Sequence, residues 1–352
     1  MSWREVEMDA VRLLTSGLSL ALPTGLAVAF DRLDLGMAAG LGAFLGSGSG
    51  HQGTAGQRVR DILSALVVGV CAITVGMVST AHHLAPSLVT VGFAFVAALL
   101  GGIRASAAKT AIQAVVFMIL GANLAAVPLS TAEKSAYFAL GAAGAGAVTL
   151  AGYALYRRLA AGSDKAPRAA GPKAAAPQAL GSDDPKPSLR ADVGRWLTGL
   201  RHLTGWAYTL RLTACMAAAE IVAHLRPGPH SAWLALTVAL VVQRDHGSAL
   251  LRTCERGLGT ALGVVLSMLL LGALPVWAAV ACVAVIGATR PYLKLANYTA
   301  YAVIMTPLVV ILTGLGTQPS PSLLRERFID TLIACGISLV IGSAAGRLLD
   351  RT

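Results

Sequence analysis

The stretch ILSALVVGVCAITVGMVST, residues 62–80, carries no charged side chain and is long enough to cross a lipid bilayer as one α-helix. A membrane-spanning helix needs about 20 predominantly apolar residues. Comparable stretches follow one another along most of the chain, at residues 11–30, 35–50, 62–80, 84–103, 110–128, 136–156, 206–225, 231–243, 257–273, 275–289, 297–315 and 328–346. The sequence therefore predicts an all-α integral membrane protein with about 12 transmembrane helices. Because three of these stretches are short, a count of about ten or eleven also fits.

The composition agrees with a chain that lies in lipid rather than in water. Hydrophobic residues make up 55% of the sequence and charged residues only 13%, whereas an average soluble domain has about 25% charged residues. The sequence contains 38 glycines, and small residues let helices approach each other closely in a membrane. The five cysteines include no CxxC pair, which argues against a disulfide framework and against a zinc site. This composition excludes a secreted β protein and a nucleic-acid-binding domain.

The net charge of +11 is distributed unevenly between the two sides of the predicted spans. Of the 28 Lys and Arg residues, 23 fall on one side, and the five on the other side are Arg32, Lys134, Arg226, Arg325 and Arg327. Loops rich in Lys and Arg stay in the cytosol. We therefore expect a multi-pass protein of the bacterial plasma (inner) membrane with both termini in the cytosol. No nucleic-acid partner is needed to explain the positive charge.

The middle of the chain differs in composition from the apolar segments around it. Residues 157–205 are rich in Pro, Ala, Lys and Asp, which predicts a disordered cytosolic linker. Near the end of this linker, apolar residues recur at helical spacing between Leu189 and Arg201. This spacing predicts either an amphipathic helix on the membrane surface or a cytosolic extension of the next span. The linker separates a first six-helix membrane repeat, residues 1–156, from a second, residues 206–352.

The two halves of the chain resemble each other in sequence. The polar loop HQGTAGQRVRD, residues 51–61, has a counterpart in DHGSALLRTCER, residues 245–256, and each loop follows a short span. In the same way, IRASAAKTAIQAVVFMI, residues 103–119, matches TRPYLKLANYTAYAVIM, residues 289–305. Because each repeat has six predicted spans, the two copies should have the same topology and be related by an axis along the membrane normal.

The second repeat contains a recognisable set of motifs in HSAWLALTVALVVQRDHGSALLRTCERGLGTALGVVLSMLLLG, residues 230–272. Trp233 is followed by an apolar LTV strip, a polar turn, Arg252, Arg256 and the spaced glycines of residues 257–263. This block resembles the fusaric acid resistance protein-like (FUSC) family, a branch of the aromatic acid exporters.

The resemblance covers residues 205–350 directly and residues 10–160 only through the internal repeat. It implies six spans in each half around a cytosolic linker, and export of aromatic and other organic acids. Distant plant relatives of the family act as malate channels. The resemblance therefore implies transport of an organic anion and leaves both a carrier and a channel open.

Glu220 is an acidic residue well inside an apolar span, TLRLTACMAAAEIVAHL. A charged side chain at the centre of a bilayer costs about 2.5–3.5 kcal/mol on insertion scales, so it usually faces a cavity or a partner. His224 lies one helical turn later on the same face. The two residues are candidates for a proton or substrate relay. The alternative is a structural role, in which Glu220 is hydrogen-bonded to a neighbouring helix or to His224.

Arginines recur at the predicted cytosolic ends of the spans. A guanidinium binds a carboxylate through two parallel hydrogen bonds, so these residues are candidates for an anion funnel, although each alone is also a topology anchor. The candidates for the substrate pathway are Arg12, Arg104, Arg211, Arg252, Arg256 and Arg290.

The sequence predicts no enzyme and no bound cofactor or metal. The glycine strings lack the GK[ST] ending of a nucleotide-binding loop, so close helix packing explains them better. His82 and His83 lie in a short loop without neighbouring acidic ligands. We expect a secondary exporter of small organic acid anions, aromatic ones foremost, with or without proton coupling. The alternatives are an organic-anion channel and a membrane scaffold without transport activity. The expected partners are the lipid bilayer and a small organic acid, and the small-residue faces are compatible with a homo-oligomer.

Overall fold

The computed structural model describes residues 10–49, 54–81, 86–161, 189–226, 232–242, 249–271, 275–315 and 321–349. Within these ranges there are thirteen α-helices and no strand. The helices are α1 (Ala10–Ala29), α2 (Leu33–Gly46), α3 (Ala55–Ala81), α4 (Pro86–Leu100), α5 (Ala105–Leu124), α6 (Thr131–Ala161), α7 (Leu189–Gly199), α8 (Leu203–Leu225), α9 (Ala232–Val241), α10 (Ala249–Leu271), α11 (Val276–Ala296), α12 (Tyr298–Thr313) and α13 (Pro321–Leu349). The all-α prediction is confirmed.

Five of the described helices are long and apolar enough to cross a membrane, namely α1, α3, α5, α6 and α11. Four further apolar helices are shorter, namely α2, α4, α9 and α12. At a rise of about 1.5 Å per residue, α9 is only about 15 Å long, roughly half the thickness of the hydrocarbon core. The chain is thus a multi-pass helical membrane protein that contains short helices in corresponding places of both halves.

The helix packing repeats between the two halves. Helix α2 packs against α6 as α9 packs against α13, and α3 packs against α5 as α10 packs against α12. Two equivalent contacts join the halves, because α1 packs against α11 and α4 packs against α8. The most completely buried stretches belong to α2, α5, α9 and α12, which form the centre of the bundle. The domain limits at residues 156 and 206 remain a prediction.

The outer surface of α1 is apolar, as expected for a helix in contact with lipid. Large apolar side chains recur there at every fourth position, and all are strongly exposed: Leu14, Leu18, Leu22, Leu26 and Phe30. This spacing places them on one face of the helix. In water such a continuous apolar stripe would be unfavourable. The stripe therefore identifies a face of α1 that lies against the bilayer.

Glycines bring the helices of the first half into close contact. A Cβ atom on Gly42 would lie 1.9 Å from the carbonyl oxygen of Phe138, and one on Gly141 would lie 1.9 Å from that of Ala39. Neither position between α2 and α6 can therefore accept a side chain without moving the backbone. Close helix packing at the glycine string of α2 is confirmed.

The apolar pattern after Leu189 forms a separate helix. Helix α7 ends at Gly199, and a turn separates it from α8. It docks on the turn between α4 and α5, where Trp196 Nε1 donates a hydrogen bond to the Leu99 carbonyl oxygen at 3.2 Å. Asp192 forms a salt bridge with Arg104 at 3.1 Å. The predicted linker residues 162–188 lie outside the described residues.

Candidate anion pathway

Arg290 lies in the last part of α11 and is 6% exposed. Its Nη2 donates a hydrogen bond to Ser47 Oγ at 3.0 Å, and its Nη1 donates one to the Phe44 carbonyl oxygen at 3.4 Å. Its guanidinium carbon also lies 5.0 Å from the centre of the Phe44 ring. The last carbonyls of a helix lack intrahelical partners and carry partial negative charge. Arg290 of the second half therefore caps the end of α2 in the first half.

Arg327 lies in α13 and is 4% exposed. Its guanidinium carbon is 3.7 Å from the centre of the Trp233 ring on α9. Both Nε and Nη1 are buried, and neither has a hydrogen-bond partner in the part of the chain that the structure describes. Burying a charged group without hydrogen bonds is costly. This side chain thus packs on an aromatic ring while two of its three nitrogen atoms make no hydrogen bond to the described residues.

Arg256 connects these two arginines. It lies in α10, is 7% exposed, and its Nε is buried without a hydrogen-bond partner among the described residues. Arg256 is within electrostatic range of Arg327 on one side and of Tyr301 on the other. Tyr301 is in turn within electrostatic range of Arg290. We call Arg290, Arg256 and Arg327 the arginine row.

The acidic groups near the row do not balance its charge. Asp330 lies one turn after Arg327, but its ion pair is with Arg226 at 3.5 Å. The structure, over its described ranges, contains no salt bridge to any member of the arginine row. Three buried cations thus lie on α10, α11 and α13 in the interior of the second half.

The other predicted arginines lie in different surroundings. Arg211 is buried in α8, with its guanidinium carbon 5.9 Å from the centre of the Tyr208 ring. Arg12 is exposed on α1, and Arg104 is engaged by Asp192 of α7. The side chain of Arg252 lies outside the described residues. Of the six predicted arginines, the structure brings Arg256 and Arg290 together in one row.

Glu220 and His224 occupy different environments although both belong to α8. Glu220 is half-buried and within hydrogen-bonding reach of Ser87, which is the second residue of α4. The beginning of a helix favours a negative charge because of its free N–H groups. His224 is exposed. A hydroxyl of the neighbouring helix is therefore within reach of Glu220, and both the relay and the structural role of Glu220 stay predictions.

Arg327 is absent from the predicted site residues because the last predicted span begins at residue 328 and leaves Arg327 in a loop. In the structure α13 begins at Pro321 and buries this arginine. Proline is common at the first position of a helix, and Pro321 was therefore the signal for the earlier start. Trp233 was noted as a family feature but not as a site residue.

A cavity of about 510 Å³ lies apart from the row, between α1, α2 and α6. Its walls are almost entirely apolar, with Arg32 and Tyr137 among the lining residues. The described residues contain no cluster of three His, Cys, Asp or Glu side chains that could hold a metal ion. His82 and His83 lie outside the described residues. The buried arginines are therefore the polar site that we consider among the described residues.

The helices and the arginine row together define a multi-pass α-helical membrane protein with a cationic interior. Residues 215–341 match the family model described as fusaric acid resistance protein-like. This match confirms the resemblance seen in the sequence and covers α9 to α12, the second part of α8 and most of α13. It indicates a membrane protein that transports small molecules. Searches of curated proteins and of solved structures gave no significant match.

Proposed function

We propose that the protein is a secondary exporter of small organic acid anions, aromatic ones foremost, across the bacterial plasma membrane. The observation that supports this function is the row of three buried arginines without salt bridges in the described structure. An unneutralised cation inside a membrane protein is expensive and usually marks a substrate or ion path. A carboxylate is the natural ligand, because a guanidinium binds it with two charge-assisted hydrogen bonds.

Aromatic side chains accompany the arginines along the row. Phe44 lies beside Arg290, Tyr301 lies between Arg290 and Arg256, and Trp233 lies against Arg327. Aromatic rings provide stacking surfaces for flat apolar groups. The combination favours a substrate that carries both a carboxylate and an apolar ring over a small hydrophilic anion such as chloride.

Export of such an anion needs no ATP. A monoanion that leaves a cell whose interior is about 100 mV negative gains about 2.3 kcal/mol of free energy. At 1.36 kcal/mol per factor of ten, this free energy sustains a gradient of roughly fiftyfold. Coupling to a proton is therefore optional, and Glu220 need not carry one.

An organic-anion channel is the second candidate. It is favoured by the three arginines buried in one half of the chain, where Arg256 is within electrostatic range of Arg327, and Tyr301 is within range of both Arg256 and Arg290. A carrier and a channel differ in how flux depends on concentration. Saturation indicates a carrier, whereas a current that rises linearly with anion concentration indicates a channel.

The proposal is tested by benzoate efflux from vesicles that contain the purified full-length protein, an imposed membrane potential and no ATP. Saturable efflux is expected, and Arg256→Gln should slow it strongly because it removes the middle cation of the row. Arg325→Gln is the matched control, since Arg325 is an exposed arginine of α13. If the wild-type protein moves no benzoate or related acid, the exporter and the channel are both wrong and the scaffold remains. A requirement for ATP hydrolysis would also refute the secondary exporter.

A further inference from the structure

The buried arginines of the row differ in one respect that separates their roles. Arg290 uses its donors within the protein, because Ser47 and the carbonyl of Phe44 accept hydrogen bonds from it. Arg327 is equally buried, yet its Nε and Nη1 have no acceptor in the described parts of the chain. A buried donor without an acceptor costs free energy that a ligand can recover. Arg327 is therefore prepared for a ligand, and Arg290 is not.

The contact with Trp233 fixes how Arg327 presents its donors. The guanidinium carbon is only 3.7 Å from the ring centre, the distance of a flat stack. An edge-on guanidinium would place its nitrogen atoms against the ring and keep the carbon farther away. Arginine commonly stacks in this way on aromatic faces. A guanidinium stacked in this way has its N–H edges in a plane parallel to the indole, and we take the distance of 3.7 Å as the sign of such a stack at Arg327.

The charged neighbours of Arg327 include a second cation and one carboxylate that is shared with another arginine. Arg256 is within electrostatic range and adds a second positive charge. Asp330 is the nearby carboxylate, but it is engaged by Arg226. One carboxylate bound at Arg327 and near Arg256 would reduce the mutual repulsion of the two cations and accept a hydrogen bond from one of the two unused donors, Nε or Nη1.

We propose that Arg327 is the carboxylate-binding residue of the pathway, that Trp233 holds it flat, and that the site selects planar carboxylates. This inference rests on the proposed function and adds the site to it. A carboxylate hydrogen-bonded to the guanidinium edge lies in the guanidinium plane. The ring of benzoate is coplanar with its carboxylate and continues that plane beside the indole. The puckered ring of cyclohexanecarboxylate, which has the same charge and similar size, leaves the plane.

The experiment measures binding of benzoate and of cyclohexanecarboxylate to the purified full-length protein by calorimetry. The wild-type protein should bind benzoate about tenfold more tightly or better, since the second ligand loses its fit to the stack. Arg327→Gln should weaken benzoate binding about tenfold or more, and Arg327→Lys should also weaken it, because lysine keeps the charge but lacks the planar fork. Arg325→Gln, the exposed arginine on the same helix, should bind benzoate as the wild-type protein does.

The results of these binding measurements distinguish failure of the proposed carboxylate site from failure of the proposed exporter on which it rests. Equal affinity of the wild-type protein for the two acids overturns the planar site, and this measurement requires no variant to fold. Wild-type benzoate affinity in a folded Arg327→Gln or Arg327→Lys protein overturns the role of Arg327. In either case benzoate efflux by the wild-type protein would leave the proposed exporter intact. Absence of that efflux would refute the exporter instead.

Discussion

Replacement of Ser47 by alanine tests whether Arg290 joins the two halves of the protein. Ser47 Oγ accepts a hydrogen bond from Arg290 Nη2 at 3.0 Å, and both side chains are buried. A hydrogen bond to a charged group contributes about 1.5–3 kcal/mol. The bond from Arg290 to the Phe44 carbonyl stays in place, but Ser47 Oγ also donates a hydrogen bond to the Phe44 carbonyl oxygen at 3.2 Å, and the change removes that bond as well. A neutral hydrogen bond contributes about 0.5–1.5 kcal/mol, so we expect Ser47→Ala to lower the free energy of unfolding by about 2–4.5 kcal/mol in total.

The assay is reversible unfolding of the purified protein in mixed micelles by increasing amounts of dodecyl sulfate, followed by circular dichroism. Ser19→Ala is a matched control, because Ser19 and Ser47 are each 1% exposed. The hydroxyl of Ser19 donates to the Ser16 carbonyl oxygen of its own helix at 2.9 Å. A neutral bond of this kind contributes about 0.5–1.5 kcal/mol. If Ser47→Ala and Ser19→Ala lower the free energy of unfolding by the same amount, the hydrogen bond between Ser47 and Arg290 does not stabilise the contact between the halves.

Two further predictions concern Glu220 and the glycines of the first half. Glu220→Gln keeps a hydrogen-bonding group beside Ser87. The rate and the pH profile of benzoate efflux should therefore stay as in the wild-type protein. Loss of the pH dependence of efflux, in a variant present in the membrane at normal abundance, would instead establish a proton relay. Gly42→Ala places a Cβ 1.9 Å from a carbonyl oxygen, whereas Gly144 has no neighbouring atom within 4 Å. Gly42→Ala should therefore destabilise the protein by about 1–3 kcal/mol in the same unfolding assay, and Gly144→Ala should not; equal stability of the two variants would contradict the packing.

The amphipathic helix was predictable because its signal is local. The spacing of apolar residues after Leu189 identified a helix, and α7 covers Leu189–Gly199. Where that helix docks was not predictable, because the contacts of Trp196 and Asp192 are made with residues about ninety positions earlier, at Leu99 and Arg104. The local sequence pattern around Leu99 and Arg104, like that of α7, does not indicate that the two segments contact each other.

The candidate site was predictable only in part. Arg256 and Arg290 were recognisable as arginines near the ends of apolar spans, whereas Arg327 was assigned to a loop. Its role depends on a ring that precedes it by almost a hundred residues, Trp233. For Glu220 the sequence left a relay and a structural partner open, and the partner, Ser87, belongs to the other half of the chain.

By itself the sequence determined the class of protein, because length and hydropathy of a segment such as residues 62–80 decide whether it is stable as a helix in lipid. The internal match of residues 103–119 with 289–305 also determined that the halves are repeats. Only the tertiary structure decided which arginines are buried together and which have their hydrogen bonds satisfied. The physical reason is that the cost of a charge depends on the groups around it in space, and for Arg290 and Arg327 those groups come from helices far apart in the chain.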